Sequence, residues 1–354
     1  MKKNLINIFD YESHAKVSLD SKIADFFNCG AADQITLNKN IESFKNIFLK
    51  SRVLKNVTNC DITHTISNTS VSMPILIAPT GCHGLACKDA ELATAKAAKD
   101  QDTIMILSML SNFSLEDVSK NSNAKLWFQI NPLSDKECNI DLIKRAENSG
   151  YKAIVITVDG QYLGLRDQDI KNNFSFPSDL KFANLENYFN ETELYGHGRE
   201  NLFLKNLTWD EIGWIKSKTN LPIFLKGILH EEDAKIAVES GIDGIIVSNH
   251  GGRQLDTAIP TILALPKIVS VVENKIPILL DGGIRRGSDV LKAIAMGADA
   301  VLIGRPILWG LSVNGLEGAK HILDIMKSEL IRNMRLCGIS SIKELKHVGR
   351  EIIA

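Results

Sequence analysis

The sequence predicts an α/β fold, a single (β/α)8 TIM barrel, on three observations. Eight short apolar runs recur along the 354 residues, stretches of helical periodicity lie between them, and each run ends in a residue that can hydrogen-bond. Alternating strand and helix signals of this kind specify a parallel sheet covered by helices.

Residues 1–74 precede the first run and read as a helical N-terminal extension. The runs are ILIAP (75–79), TIMILS (103–108), LWFQI (126–130), AIVITVD (153–159), PIFLKG (222–227), GIIVSN (244–249), PILLDGG (277–283) and AVLIGR (300–305). Each is short, rich in aliphatic and β-branched residues, and bounded by Gly, Pro, Asn or Asp, as buried parallel strands are. Helical periodicity covers 89–100, 139–150, 230–241 and 287–298, and Gly150, Gly241 and Gly297 stand where a left-handed helix cap is needed. The runs start roughly 20–35 residues apart, as βα units do, except across one gap. That gap, 160–221, is too long for a simple connection and reads as an inserted lid or substrate loop after the fourth strand. Residues 311–354 read as C-terminal helices. The whole chain, 1–354, is therefore expected to be one domain with its barrel over 75–310. Periodicity alone also permits a doubly wound open sheet.

Bulk composition narrows the function. Apolar residues make up 44% of the chain, ample for a large core. A net charge of −1 and a pI near 6.7 argue against a nucleic-acid surface. The six cysteines (Cys29, Cys60, Cys82, Cys87, Cys138, Cys337) are scattered, as in a reduced, cytoplasmic protein, and Cys82 with Cys87 lacks a second ligand pair, so no metal is expected. The N-terminus has no long apolar stretch and no run approaches a membrane span.

Motifs then cluster where the strands end. If the strands are assigned correctly, their ends carry Pro79-Thr80-Gly81, Ser108, Gln129, Thr157 with Asp159, Lys226, Ser248 with His250, Asp281 and Gly304-Arg305. Eight polar ends on one face suggest a large polar cofactor across the barrel mouth. After the last two strands, Gly283, Arg285, Gly304 and Arg305 form the glycine-plus-arginine pattern that binds phosphate through backbone N–H groups and charge-assisted bonds. The most specific stretch is SNHGGRQLD (248–256): His250 can take a proton near neutral pH, Arg253 can hold a carboxylate two-pronged, and Gly251 and Gly252 permit close backbone approach.

With these motifs the chain resembles the FMN-dependent α-hydroxy-acid oxidase and dehydrogenase family from about Asp25 to Gly338. SNHGGRQLD, GAADQITL (30–37), APT (78–80), ITVD (156–159), LKG (225–227) and LDGGIRRGSDVLKA (280–293) carry the resemblance. It implies FMN as cofactor, oxidation of a 2-hydroxy acid to a 2-oxo acid, and oxygen or another compound as electron acceptor. It implies His250 as base and Asp159 as its orienting carboxylate, with Arg253 and Arg166 on the substrate carboxylate. Lys226 is implied beside the flavin. Pro79, Thr80, Gly81, Ser108, Gln129, Thr157 and Ser248 are flavin contacts by the same resemblance. Asp281 is a ribityl contact, and Gly283, Arg285, Gly304 and Arg305 are the phosphate cradle. A homotetramer is implied as well.

Three departures stand out. Phe26 and Asn131 occupy positions where the family places substrate-contacting tyrosines, and Leu110 stands where a tryptophan is common. Losing a hydroxyl that binds a charged group weakens binding, so a specialised, larger hydroxy acid is expected in place of glycolate or lactate. Gly81, where many oxidases of the family carry alanine, leans towards slow oxygen use or retained product. An FMN barrel acting on a carrier-bound or biosynthetic substrate, or a non-catalytic flavin scaffold, are the alternatives.

Overall fold

The structure, a computed structural model, describes residues 5–196 and 199–354. Residues 1–4 of the expected extension and 197–198 of the expected insertion lie outside that range. The N-terminal extension opens with α1 (Ile8–Ser18), where Asn7 and Asp10 form a reciprocal capping box. Next come α2 (Ser21–Asn28), capped by Asp20, and α3 (Ile35–Lys45). The extension is not helical throughout. β1 (His64–Ile66) and β2 (Thr69–Val71) form an antiparallel hairpin. Its two turn residues, Ser67 and Asn68, are both left-handed, the conformation tight hairpins favour.

The barrel follows as β3 (Ile75–Ile77), α4 (Ala90–Asp100), β4 (Ile104–Ser108), α5 (Leu115–Ser122), β5 (Lys125–Ile130), α6 (Lys136–Asn148) and β6 (Ile154–Thr157). After β6 come α7 (Asp167–Lys171), α8 (Glu191–Tyr195) and α9 (Trp209–Lys216). The second half is β7 (Ile223–Ile228), α10 (Glu231–Glu239), β8 (Gly244–Val247), α11 (Thr261–Val272), β9 (Ile278–Leu280), α12 (Gly287–Ala295) and β10 (Ala300–Ile303). The strands close in the order β10-β3-β4-β5-β6-β7-β8-β9, all parallel. The doubly wound alternative is thereby excluded, and all eight expected strands lie within their apolar runs or one residue outside them.

Two boundaries move. The 160–221 segment is not a single loop, because its last part is α9, the outer helix of the fourth unit, whose Ile212 and Ile215 are buried. The C-terminal helix, α13 (Arg305–Leu336), starts at the end of β10 and not at 311, because Pro306 suits a first helical turn. It breaks at Asn314–Gly315 and is followed by α14 (Ile342–Val348).

Side chains alternate across the sheet with period two. One buried cluster holds Leu76, Ile104, Ile106, Trp127, Val155, Phe224, Ile246, Leu279 and Leu302, with Ile66 and Val71 of the hairpin. These fill the barrel interior, where Trp127 lies 4.5 Å from Phe224 between ring centroids. Gly244 is required there, since a Cβ would strike the Phe224 ring. The intervening residues, such as Ile77, Met105, Phe128, Ile156 and Leu225, join the cluster shared with the outer helices. Continuing the inward parity by two residues places Ser108, Gln129, Thr157, Lys226, Ser248, Asp281 and Gly304 on the last interior layer.

Gly310 and Gly318 face each other across the α13 break, and a Cβ on Gly318 would fall on the Gly310 carbonyl. Gly318→Ala is expected to destabilise the chain by about 2 kcal/mol or more through backbone overlap. Gly213→Ala, in open space inside α9, should stabilise it by roughly 0.5–1 kcal/mol through helix propensity. Thermal or urea unfolding of the two variants checks both signs.

Candidate active site

The polar interior layer is bonded within itself. Gln129 Nε2 donates to Thr157 Oγ1 at 2.9 Å, and Lys226 Nζ donates to Ser248 Oγ at 3.1 Å while lying 3.4 Å from Asp281 Oδ2. The second Asp281 oxygen is buried and accepts from no described residue. Above this layer opens a cleft, with Pro79, Thr80 and Gly81 on one side. Lys226 and Asp281 lie at its base, and Gly283, Arg285, Gly304 and Arg305 line another part of its wall. Ser108, Gln129, Thr157 and Ser248, on the same interior layer as Lys226 and Asp281, do not line it.

Three arginines crowd this cleft without a carboxylate in contact. Among the described residues, Arg253, Arg285 and Arg305 form no ion pair. Arg305 donates to Phe27 O, Gly251 O and Cys29 O at 3.0, 2.9 and 3.1 Å. Burial, with Arg253 and Arg285 nearby, pulls its pKa down to about 9. Arg285 lies over the Trp309 ring at 4.9 Å, and burial lowers it to about 10. Its Nε–H is buried with no described acceptor. The backbone N–H groups of Gly283, Gly304 and Arg305 likewise have no acceptor among the described residues. A site with unpaired buried cations and free strand-end N–H groups binds an anion, and a phosphate fits it. The unpaired Asp281 oxygen suits a hydroxyl donor. Together these fit FMN, with Asp281 available to its ribityl chain and the Arg285–Arg305 end to its phosphate.

The β8–α11 turn sets the reactive groups. His250, Gly251 and Gly252 are all left-handed, with φ of 58°, 62° and 76°. For His250 this is strained, since only glycine takes such angles freely. The turn is pinned from α3, where Asn40 and Asn249 exchange amide bonds at 2.8 Å. His250 Nδ1 lies 3.1 Å from Asp159 Oδ1. Burial raises the Asp159 carboxyl, but His250 and Lys226 outweigh it and hold its pKa below the ordinary value. An ionised carboxylate only accepts, so Nδ1 carries a proton, and in the neutral imidazole this tautomer leaves Nε2 bare to act as a base. Asp159 also touches β7 closely: a Cβ on Gly227 would lie 2.7 Å from its own. Arg253 spends both Nη1 protons on Phe26 O and Cys29 O, at 2.7 and 2.9 Å. Its Nε and Nη2 edge remains for a two-pronged carboxylate bond.

A smaller cleft adjoins the first, sharing Phe26, Gly81, His250 and Arg253 with it. Arg166 and Asn131 line it, with Arg166 Nη1 3.6 Å from Asp169. The rest of its wall is mostly apolar: Cys82, Leu110, Leu163, Phe176 and Phe203. Phe26 is stacked on Phe174 of the insertion at 4.5 Å and 6°. The structure thus brings His250, Asp159, Arg253, Arg166, Phe26 and Asn131 together. Sequence reading missed Asn40, Asn249 and Gln254, whose amide donates to Asp159 O. Gln254 and Asn249 lay inside the quoted motif, whereas nothing local points to Asn40.

Sequence reading also missed a buried polar group behind Thr80. Fully buried Glu91 of α4 accepts from His83 N and Asn112 N at 3.1 and 3.0 Å. It thereby joins the loops after β3 and β4.

Known proteins resemble this chain along nearly its whole length. The pattern of the FMN-dependent dehydrogenase family matches residues 15–351. A peroxisomal (S)-2-hydroxyacid oxidase of Arabidopsis thaliana is 45% identical over 356 residues, covering 98% of this chain and 97% of that protein. An L-lactate oxidase of Nostoc sp. is 44% identical, covering 96% of each. A structure of mandelate oxidase with benzoyl-formic acid superposes with a TM-score of 0.90 at 36% identity, covering 96% of this chain and 97% of that one.

Burial pushes the Glu91 carboxyl up to about 7, from 4.5 for a free glutamate. Between those values the folded chain holds a proton that the unfolded chain has released. The Glu91 contribution is therefore fully present below about pH 4.5 and lost as pH rises through 7, by about 3 kcal/mol in total. Urea unfolding of wild type and Glu91→Gln from about pH 4.5 to 8 should show wild type losing stability relative to the variant as pH rises. A constant difference would contradict it.

Proposed function

The chain belongs to the FMN-dependent dehydrogenase family and is a flavoprotein oxidoreductase of the 2-hydroxy-acid oxidase type; from that premise we propose that it oxidises a 2-hydroxy acid with an apolar side chain to the 2-oxo acid. The observation that carries this reading is the convergence of His250–Asp159 with the free edge of Arg253 on a cleft walled by Phe26, Leu110, Phe176 and Phe203. FMN, when bound, supplies the two-electron acceptor. Arg253 and Arg166 hold the substrate carboxylate, fixing the carbinol beside His250. His250 Nε2 takes a proton, and Asp159 stabilises the imidazolium that results. Lys226, at the base of the cleft, would help hold the cofactor and would supply positive charge to stabilise negative charge developing there. Pro79, Thr80, Gly81, Ser108, Gln129, Thr157 and Ser248 are proposed as the wall and floor of the flavin site.

Substrate choice follows from the departures. Phe26 contributes no hydroxyl to the carboxylate, and its ring is fixed by Phe174 and Phe176. The Asn131 backbone N–H donates to Met109 Sδ, but its side-chain amide has no hydrogen-bond partner among the described residues and is available to a polar atom of the substrate. These features support a larger hydroxy acid over glycolate or lactate. Oxygen is the proposed acceptor, because several relatives are named oxidases. The six cysteines form no disulfide, which supports a reducing compartment, proposed as the cytoplasm although an Arabidopsis relative is named peroxisomal; imaging of the tagged protein tests this. A homotetramer is proposed by family likeness, and light scattering at four times 39.1 kDa is its test.

The direct experiment is anaerobic mixing of the holoenzyme with a panel of 2-hydroxy acids, both enantiomers, followed by loss of oxidised-flavin absorbance. Aromatic and branched acids should bleach the flavin at least about tenfold faster than glycolate, and readmitted air should restore the colour. Equal rates with glycolate would overturn the apolar-substrate reading, and no bleaching by any acid would overturn the reaction. His250→Ala should lower kcat/KM by about 10²–10⁴-fold, whereas Phe26→Tyr should lower the KM for lactate roughly five- to tenfold by restoring one hydrogen bond to a charge.

A further inference from the structure

Behind the Pro79–Gly81 turn lies a buried polar cluster that the proposed reaction does not use. His83 is completely buried. Its Nε2 lies 2.6 Å from Thr80 Oγ1 and its Nδ1 lies 2.9 Å from Thr94 Oγ1 on α4. Its backbone N–H is held by Glu91, also on α4. Burial lowers the imidazole to about 4, so it is neutral and each ring nitrogen meets one hydroxyl. Thr80 lines the large cleft, and its methyl sits where a Cβ on Gly304 would come within 3.2 Å.

The turn needs such a support. The N–H groups of Thr80 and Gly81 donate to nothing among the described residues, and the neighbouring backbone bonds, Ala78 N to Ile303 O and Cys82 N to Leu110 O, leave the two peptides between them untied. Gly81 adds conformational freedom to the same stretch. Among the described residues, the bond from Thr80 Oγ1 to His83 is the one side-chain hydrogen bond this turn makes.

We propose that His83 is a positioning residue for the cofactor: α4 holds its ring, the ring holds Thr80, and the Thr80 and Gly81 N–H groups are thereby kept aimed into the cleft. This rests on the large cleft being the FMN site. It differs from a merely satisfied core histidine in one respect. The far anchor, Thr94, touches neither cleft, yet loosening it must be felt by the bound flavin.

The test is FMN titration of the apo-protein, with the midpoint potential of the bound flavin as a second readout. Four variants are compared with wild type: Thr94→Val, which is nearly isosteric, Thr80→Val, their double mutant, and His83→Leu. Thr94→Val is expected to weaken FMN binding about three- to tenfold and to shift the potential, and Thr80→Val to abolish any further effect of Thr94→Val. Wild-type affinity and potential in Thr94→Val would overturn the proposal even if His83→Leu failed to fold. So would effects of Thr94→Val and Thr80→Val that simply multiply. Wild-type apo-protein that takes up no FMN would instead overturn the cofactor site itself.

Discussion

Cys29 O accepts from two arginines at once, Arg253 at 2.9 Å and Arg305 at 3.1 Å. The preceding carbonyls of the same turn, Phe26 O and Phe27 O, accept from the same two side chains. The end of α2 thus offers its unsatisfied carbonyls, the negative pole of the helix, to cations that have no carboxylate of their own. That arrangement fixes the guanidiniums in place but leaves their charge uncancelled. A barrel mouth built this way demands anions, and it demands them at two places: where Arg253 opens its free edge and where Arg285 and Arg305 meet. The N-terminal extension is therefore part of the site, since the barrel alone would present these arginines without the backbone that holds them.

The rest of the site is a by-product of strand geometry. The same period of two that fills the barrel with Trp127, Phe224 and Leu279 carries Gln129, Lys226 and Asp281 onto the last inward layer. Packing and polarity are thus layers of one alternation. The apolar interior makes the strands rigid, and rigid strands hold Lys226 within 3.4 Å of Asp281 without a loop's uncertainty. His250 and Arg253, which meet substrate from above, are placed instead on a turn that is strained, glycine-bearing and pinned by Asn40.

Most of this architecture was legible in the sequence because buried parallel strands are continuous apolar runs with polar ends, a signal local enough to read. The candidate residues at those ends were legible for the same reason. What was not legible depends on partners far away in the chain. Glu91 reads as an exposed helix residue until the loops carrying His83 and Asn112 fold against it. Asn40 gives no sign of Asn249, 209 residues on. The hairpin at 64–71 has strands of three residues, too short for alternation to show. Helix α9 was hidden by the length of the segment around it, which drew the eye as one loop.

The stack of Phe26 on Phe174 joins the two ends of the site's history. One ring comes from the N-terminal arm and the other from the segment inserted after the fourth barrel strand, 148 positions further along the chain. Neither ring has its present surface without the other. For anyone recombining relatives of this protein, a crossover between residues 26 and 174 separates the halves of a single wall. Chimeras should be cut outside that interval, or exchanged with both segments together, and descent by shuffling would have met the same constraint.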